Sequence, residues 1–393
     1  FQFTMKSLFF ILLSFFVSIT AYGQHHLRAV LWDKQAKAPV VYATVVSGQA
    51  YAISNEEGGF EISSSEGALH IDCLGYESLS SSFTALAGRD TLYLSPKTFV
   101  LEEVTIDPNE SYRQMVKAID KWYALDTHKE RFFIRCLLRK NGQIEKLIDI
   151  VGKVEKKALM GTPTKPFPKK PYKVEIEQLR VAAINSSKVY KVNMPELADA
   201  FMGLAVMGTP VDHFWHKKLK GEGSAEDKIE FGNKDTKQVK TSGYYLMDNE
   251  RWVPKQFAMS ADNIAMDYKK NFWGLKHRVL HREHRSDFAL NPATGKYQLA
   301  RGTLLNKQEV LSKEGTDIFE LYYFYDAQPL PMSEPLKENA SVEKDMFKLK
   351  FPYNAAYWEH NNVLLLTDEM QAFIKRVGSE KEFKTVTNLR SSE

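Results

Sequence analysis

The sequence predicts an α+β protein that is mainly β, with a small N-terminal β-sandwich followed by a larger antiparallel-sheet domain carrying a few helices. Three observations predict it. Short strand-like runs punctuated by turn residues recur before residue 106. Longer strand-like runs follow one another without intervening helices between about 227 and 326. Apolar residues at helical spacing occur near 110–125 and again near the C-terminal end. Successive strands without crossover helices imply antiparallel pairing. At 393 residues, with 44% hydrophobic and 12% aromatic content, the chain can bury more than one core.

Residues 8–19 form an apolar run of twelve residues without a charge, preceded by Lys6. Such a run is short of the roughly 20 residues needed to span a bilayer, so it reads as the h-region of a signal peptide rather than an anchor. Ala21 and Gly23 are the small residues three and one before a cleavage point at Gln24. The expectation is a signal peptide over 1–23, a start at Met5, no lipid-modified Cys at the new terminus, and no transmembrane helix after cleavage. Charge is nearly balanced, with 53 Lys and Arg against 49 Asp and Glu. That balance argues against a nucleic-acid partner, which demands a clustered basic excess. Cys73 and Cys136 sit in apolar strand-like runs of different domains. Both read as free buried thiols, with a disulfide as the alternative in an oxidising periplasm.

The first domain, 25–106, holds strand-like runs at 27–32, 43–46, 60–62, 68–73 and 91–94. Short, regularly spaced strands suggest a sandwich. In Asn55-Glu56-Glu57-Gly58-Gly59-Phe60 the glycines can take the positive φ of a tight hairpin, and Phe60 and Ile62 then share the core face. Gly75-Tyr76 ends a strand with an aromatic that can plug the end of the sandwich. Pro39-Val40-Val41-Tyr42-Ala43-Thr44-Val45, the Asn55 to Ile62 segment and Leu69-His70-Ile71-Asp72-Cys73-Leu74-Gly75-Tyr76, in this order, resemble the carboxypeptidase regulatory-like domain. That family is a transthyretin/Ig-like β-sandwich common in exported proteins of Bacteroidetes-type bacteria. The resemblance covers about 80 residues and implies an envelope location, in the periplasm or at the outer membrane. It implies no carboxypeptidase activity, because no His here is followed by Glu at the third position, the pair such catalysis uses to hold zinc. Leu101-Glu102-Glu103-Val104-Thr105-Ile106 is similar to the segment joining this sandwich to the plug of TonB-dependent transporters. The 287 residues that follow are too few for plug and barrel. The wider chain resembles uncharacterised envelope proteins with the same N-terminal sandwich.

The second domain, 109–393, opens with Ser111-x-x-Gln114, a capping-box pattern, and an apolar stripe of Tyr112, Met115, Val116, Ile119, Trp122 and Tyr123. This predicts a helix over 110–125 that packs through Ile119 and Trp122. Residues 161–173 hold four prolines and four lysines and read as a solvated loop. Residues 195–206 look helical, with Leu197, Phe201 and Leu204 on one face. Strands are expected at 243–247 and 252–259 around the turn Asp248-Asn249-Glu250-Arg251, then at 264–272, 275–281, 297–305 and 318–325. Thr367 and Glu369 mark the start of a last helix ending near Val377.

Two histidine groupings could carry chemistry. His277-x-x-x-His281-x-x-His284 would share a helix face and could bind zinc. On a strand, His277 and His281 would face one way and His284 the other, and the basic neighbours Lys276, Arg278, Arg282 and Arg285 would repel a cation. No metal site and no cofactor are therefore expected. His213-x-x-His216 reads as a polar helix edge. No Gly-x-Ser-x-Gly elbow, phosphate loop or Rossmann fingerprint occurs, so no catalytic residue is assigned. The aromatics Trp252, Trp273, Tyr245 and Tyr323 are candidates to line an apolar ligand site, against the simpler reading that they fill a core. The expectation is a non-enzymatic envelope protein whose sandwich docks or spaces and whose β-rich domain binds a lipid, glycan or protein partner. The alternative is an envelope-polymer hydrolase, metal-dependent through the His277 group.

Overall fold

A computed structural model describes residues 24–101, 108–162, 164–184, 194–202, 208–222, 225–263, 266–270, 275–313, 315–361, 363–379 and 385–389. The fold is mostly β with open, mainly antiparallel sheets. Residues up to Pro96 together with Tyr357–Thr367 cluster as one compact unit, and Lys97–Ala356 with Asp368–Glu393 as a second. None of the described helices is long and apolar enough to cross a membrane.

The first unit has two four-stranded sheets. One contains β1 (His25–Asp33), β2 (Ala38–Pro39), β5 (Gly59–Ser64) and β8 (Thr91–Leu94), in the order β2-β1-β5 with β8 parallel to β1. The other runs β4-β3-β6-β7, from β3 (Thr44–Ser47), β4 (Ala50–Ile53), β6 (Ala68–Asp72) and β7 (Leu79–Ser82). A short helix, α1 (Phe83–Leu86), follows β7. Alternation along each strand sends Leu27, Ala29, Leu31, Phe60, Ile62, Leu69 and Ile71 into one shared core. The Asn55 turn is fixed by its own side chain, whose Oδ1 accepts from the N–H of Glu57 at 3.0 Å and of Gly59 at 2.8 Å. Gly58 stands at φ +77°, and a Cβ there would lie 2.5 Å from the Leu31 carbonyl oxygen, so both conformation and space demand glycine. Tyr76 donates its hydroxyl to Asp33 Oδ2 at 3.0 Å. The later segment joins this unit through Ile53 N–H, which donates to the Val363 carbonyl at 2.7 Å.

Among the described residues the second unit is built on a thirteen-stranded sheet. Its strands are β9 (Phe99–Leu101), β10 (His128–Lys140), β11 (Gln143–Lys156), β12 (Tyr172–Ile184), β13 (Phe214–Gly221), β14 (Glu226–Asn233), β15 (Val239–Asp248), β16 (Val253–Asn263), β17 (Lys269–Lys270), β18 (Lys276–Asn291), β19 (Lys296–Ser312), β20 (Gly315–Leu330) and β21 (Thr385–Thr387). The order is β21-β12-β11-β10-β20-β19-β18-β16-β15-β14-β13-β9, with β17 beside β18. Segment 99–101, grouped with the first domain in the sequence reading, is hydrogen-bonded as an edge strand of this sheet, through pairs such as Leu101 with Leu219.

Two helices cover the core face. α2 (Pro108–Trp122) starts earlier than the sequence pattern suggested, because proline is well suited to a helix's first turn. The Ser111 side chain lies outside the described residues. Met115 and Ile119 are buried, and Tyr123 just beyond donates its hydroxyl to the Pro254 carbonyl at 2.5 Å. α3 (Leu197–Met202) inserts Phe201 among Phe132, Tyr172 and Tyr325, with ring centroids 5.1–5.9 Å apart. Residues 203–206 of the expected longer helix lie outside the described residues. A short helix, α4 (Ala355–His360), precedes α5 (Asp368–Ser379), which packs Met370, Phe373 and Val377 toward the other face, on β11 and β12.

Charges are buried on both faces of this sheet. On the face opposite the main cluster, Arg135 and Arg180 bracket Asp149 on three adjacent strands. On the core face, Glu130 pairs with Lys156 and accepts from the Tyr325 hydroxyl.

Candidate ligand pocket at the β12–β21 edge

A pocket of about 460 Å³ lies beside the sheet edge formed by β12 and β21. Its volume falls within the roughly 300–1,000 Å³ typical of small-molecule sites. The polypeptide reaches it from three places. β11 and β12 contribute Lys146, Val181 and Ala183. A 3₁₀ turn (Met346–Lys348) and the extended segment after it contribute Asp345, Phe347, Lys348, Leu349, Lys350 and Phe351. β21 and its end contribute Val386, Thr387 and Asn388.

Local chemistry explains how these pieces are held. Asp345 caps the 3₁₀ turn, with Oδ1 accepting from Phe347 N–H at 2.9 Å and Oδ2 from Met194 N–H at 3.3 Å. Asn388 ties the edge to the segment after the turn: its Nδ2 donates to the Leu179 carbonyl at 2.8 Å and the Phe351 carbonyl at 3.0 Å, and its Oδ1 accepts from Val181 N–H at 2.9 Å. The alternation Phe347-Lys348-Leu349-Lys350-Phe351 buries Phe347 and Leu349 while Lys348 and Lys350 stay exposed. Lys146 is buried, with its ammonium 5.7 Å from the Phe347 ring centroid. The lining is therefore a mainly apolar wall, with three lysines against one carboxylate.

The sequence-predicted residues lie elsewhere. Tyr245 and Tyr323 are 1% and 3% exposed within the core cluster, so neither offers a surface to a ligand. Their alternation turns them inward, and Tyr245 shares a hydrogen bond with Thr209 at 2.9 Å. Trp252 closes the β15–β16 hairpin at φ +56°, a left-handed conformation uncommon for a bulky residue. Its ring is half-buried, with Lys218 4.9 Å from the ring centroid. Trp273 lies outside the described residues.

The histidine geometry also differs from expectation. β18 carries a bulge between Val279 and His281. Opposite partners are Val310 for His277, Lys307 for His281 and Leu304 for His284, so the extra residue reverses the alternation. His277 and His284 share a face, about 20 Å apart by strand rise, and His281 faces away from both. His281 lies between Asp262 at 2.6 Å and Glu283 at 2.9 Å. Burial lowers its pKa, but the two carboxylate hydrogen bonds outweigh that and raise it. His284 is buried against Phe257 and shares a hydrogen bond with Ser286 at 2.8 Å; burial pushes its pKa down to about 4. Among the described residues no three His, Cys, Asp or Glu side chains converge to hold a metal ion. His216 lies on β13 rather than on a helix, and its Nε2 shares a hydrogen bond with Thr209 Oγ1 at 2.8 Å.

No family model matches the chain, and no curated protein matches it. Among solved structures, the MucA/MucB complex of Pseudomonas aeruginosa is similar at 7% identity over 57% of this chain and 100% of that chain, with a TM-score of 0.17. Pseudomonas aeruginosa OccK5 (OpdH) is similar at 8% identity over 53% of this chain and 99% of that chain, with a TM-score of 0.13. Likenesses this low carry no argument.

Cys73 and Cys136 are buried and neither forms a disulfide. Burial pushes the Cys136 thiol well up, which makes it a poor nucleophile. Sequence reading missed the pocket residues and the buried ions. One signal was present for the ions: Arg135 and Asp149 are single charges inside the apolar runs Phe132-Phe133-Ile134-Arg135-Cys136-Leu137 and Leu147-Ile148-Asp149-Ile150-Val151. Opposite charges in neighbouring apolar strands read as a pair, because a lone buried charge is too costly.

Proposed function

We propose that this is a non-enzymatic cell-envelope protein. Residues 1–23 direct export, the first unit is a carboxypeptidase regulatory-like sandwich serving as a docking or spacer module, and the second unit binds a ligand. The two four-stranded sheets sharing one apolar core, with Gly58 and Gly75 at turns, support the sandwich reading. The pocket beside β21 carries the binding reading, because it joins apolar walls to a few polar groups. Native mass spectrometry on protein purified from the envelope fraction tests both parts. The expected result is a mature chain beginning near Gln24 with a small molecule or partner retained. A cytoplasmic chain that keeps residues 5–23 and carries nothing would overturn the proposal.

A further inference from the structure

We infer that the pocket at the β12–β21 edge is a site for a single-chain anionic amphiphile, taken up as a monomer with its acyl chain along the apolar wall and its head group at the lysines. The inference rests on the ligand-binding reading above and narrows it to one chemical class.

The first support is the distribution of charge. The exposed Lys348 and Lys350 line the pocket, with Asp345 the one carboxylate of its lining, so these surface groups leave a surplus of one positive charge. Asp345 offsets only one of the two lysines, and weakly. Its two oxygens take the backbone N–H groups of Phe347 and Met194, and Lys348 Nζ approaches no closer than 3.9 Å. The side chain of Lys348 is 61% exposed and its contact with Asp345 is long, at 3.9 Å, so its ammonium can reach a bound head group while Asp345 keeps its two backbone hydrogen bonds.

The second support is the wall. Val181, Ala183, Phe347 and Leu349 are buried side chains that still line the cavity, and Phe351 and the 46% exposed Val386 extend this apolar lining. A phosphate or other small anion would use the lysines and leave this wall wet. A neutral hydrocarbon would use the wall and leave the lysines idle. A molecule with one anionic end and one chain satisfies both, since apolar burial scales with the area removed from water and charge complementarity fixes orientation. The volume of about 460 Å³ admits a single chain.

The rigid frame is the third support. Asn388 clamps β12 and the Phe351 segment with three hydrogen bonds, so the pocket is largely formed before any ligand arrives.

The test uses the exported full-length protein and titration calorimetry with dodecanoate below its micelle concentration, alongside dodecanol, inorganic phosphate and phosphatidylglycerol vesicles. Dodecanoate should bind at one site, about tenfold or more tighter than dodecanol, and phosphate should not bind measurably. The double variant Lys348→Gln/Lys350→Gln changes two exposed side chains and should keep its melting temperature. It should lose about tenfold in dodecanoate affinity and nothing in dodecanol affinity. Val386→Glu should weaken both. Equal affinity for dodecanoate and dodecanol, indifference to the lysine changes, or binding to vesicles alone would overturn the inference. Native mass spectrometry separates the two levels: a retained ligand of another class sinks this inference and leaves the binding reading standing, whereas no retained ligand and no dodecanoate binding sinks both.

Discussion

Arg135 Nε donates to Asp149 Oδ1 at 2.9 Å on a part of the sheet where both side chains are 1% exposed or less. Arg180, on the other neighbouring strand, donates to Oδ2 through Nε at 3.1 Å. Burial by itself raises the carboxyl pKa of Asp149, but the two guanidinium groups reverse that and hold it below its ordinary value. Removing the carboxylate leaves two buried cations facing each other. Asp149→Ala should therefore cost about 3–5 kcal/mol in urea unfolding. Replacing all three residues by apolar side chains of similar size should cost far less, because the desolvation penalty disappears with the charges. A single-variant loss below about 1 kcal/mol would mean that the cluster is hydrated.

The same carboxylate sets a pH dependence. Its folded pKa lies below its unfolded value near 3.8, so its stabilisation is present above that value and is lost as pH falls through the folded pKa. Unfolding of the native protein should steepen below about pH 4, and Asp149→Ala should lack that component.

Two histidines of one strand should titrate with opposite consequences. His284 falls from 6.5 to about 4, so the unfolded chain takes up its proton first and stability drops by about 3 kcal/mol between pH 6.5 and 4. His281 has its pKa raised by Glu283 and Asp262, so its stabilisation is complete below pH 6.5 and disappears as pH rises through the folded value. His284→Gln should flatten the acid side of the stability curve, and His281→Asn the neutral side. Ring-proton chemical shifts titrating in the same direction from 6.5 for both residues would contradict this.

The β15–β16 hairpin was legible because Asp248-Asn249-Glu250-Arg251 interrupts two strand-forming runs. In the structure Asp248 Oδ1 accepts from the N–H groups of Glu250 and Arg251. The Gly58 turn was legible for the same reason: its signal is local. The pocket was not legible, since Lys146, Phe347 and Asn388 are separated by up to 242 residues and meet only through sheet pairing. The facing of the histidines was misread because one bulge at Leu280 shifts every later residue of β18, and nothing in the local pattern marks a bulge. Tyr245 and Tyr323 show the limit of composition, which reveals an aromatic strand but not which alternate residues turn inward.

Helix α2 was expected to bury Ile119 and Trp122 together. Ile119 is 7% exposed in the core, but Trp122 is half-buried, with Lys121 and Arg251 4.6 and 5.3 Å from its ring centroid. Ile119→Ala should cost about 2–5 kcal/mol. Trp122→Ala should cost about 2 kcal/mol, below the 3–5 of a fully buried ring, since much of its surface stays wet. A loss of 4 kcal/mol or more at Trp122 would place the ring in the core after all.

Tyrosines on the core face distinguish a satisfied hydroxyl from an orphaned one. Tyr325 is fully buried and donates to Glu130, which also pairs with Lys156. Tyr172 is nearly as buried, yet its hydroxyl has no hydrogen-bond partner among the described residues. Burial, and then Glu130, push both phenols well above their ordinary pKa, so both are neutral at pH 7. Tyr325→Phe removes a donor from a buried carboxylate and should cost about 1.5–3 kcal/mol, as hydrogen bonds to charged groups do. Tyr172→Phe removes a polar atom that already carries its desolvation penalty without a protein partner, so it should be neutral or stabilising by up to about 1 kcal/mol. Thermal unfolding of the two variants side by side checks the pair. If Tyr172→Phe lost as much as Tyr325→Phe, a buried water would be bridging the Tyr172 hydroxyl, and with His128 Nε2, a second buried atom lacking a described partner, it would mark a hydrated pocket beside Glu130.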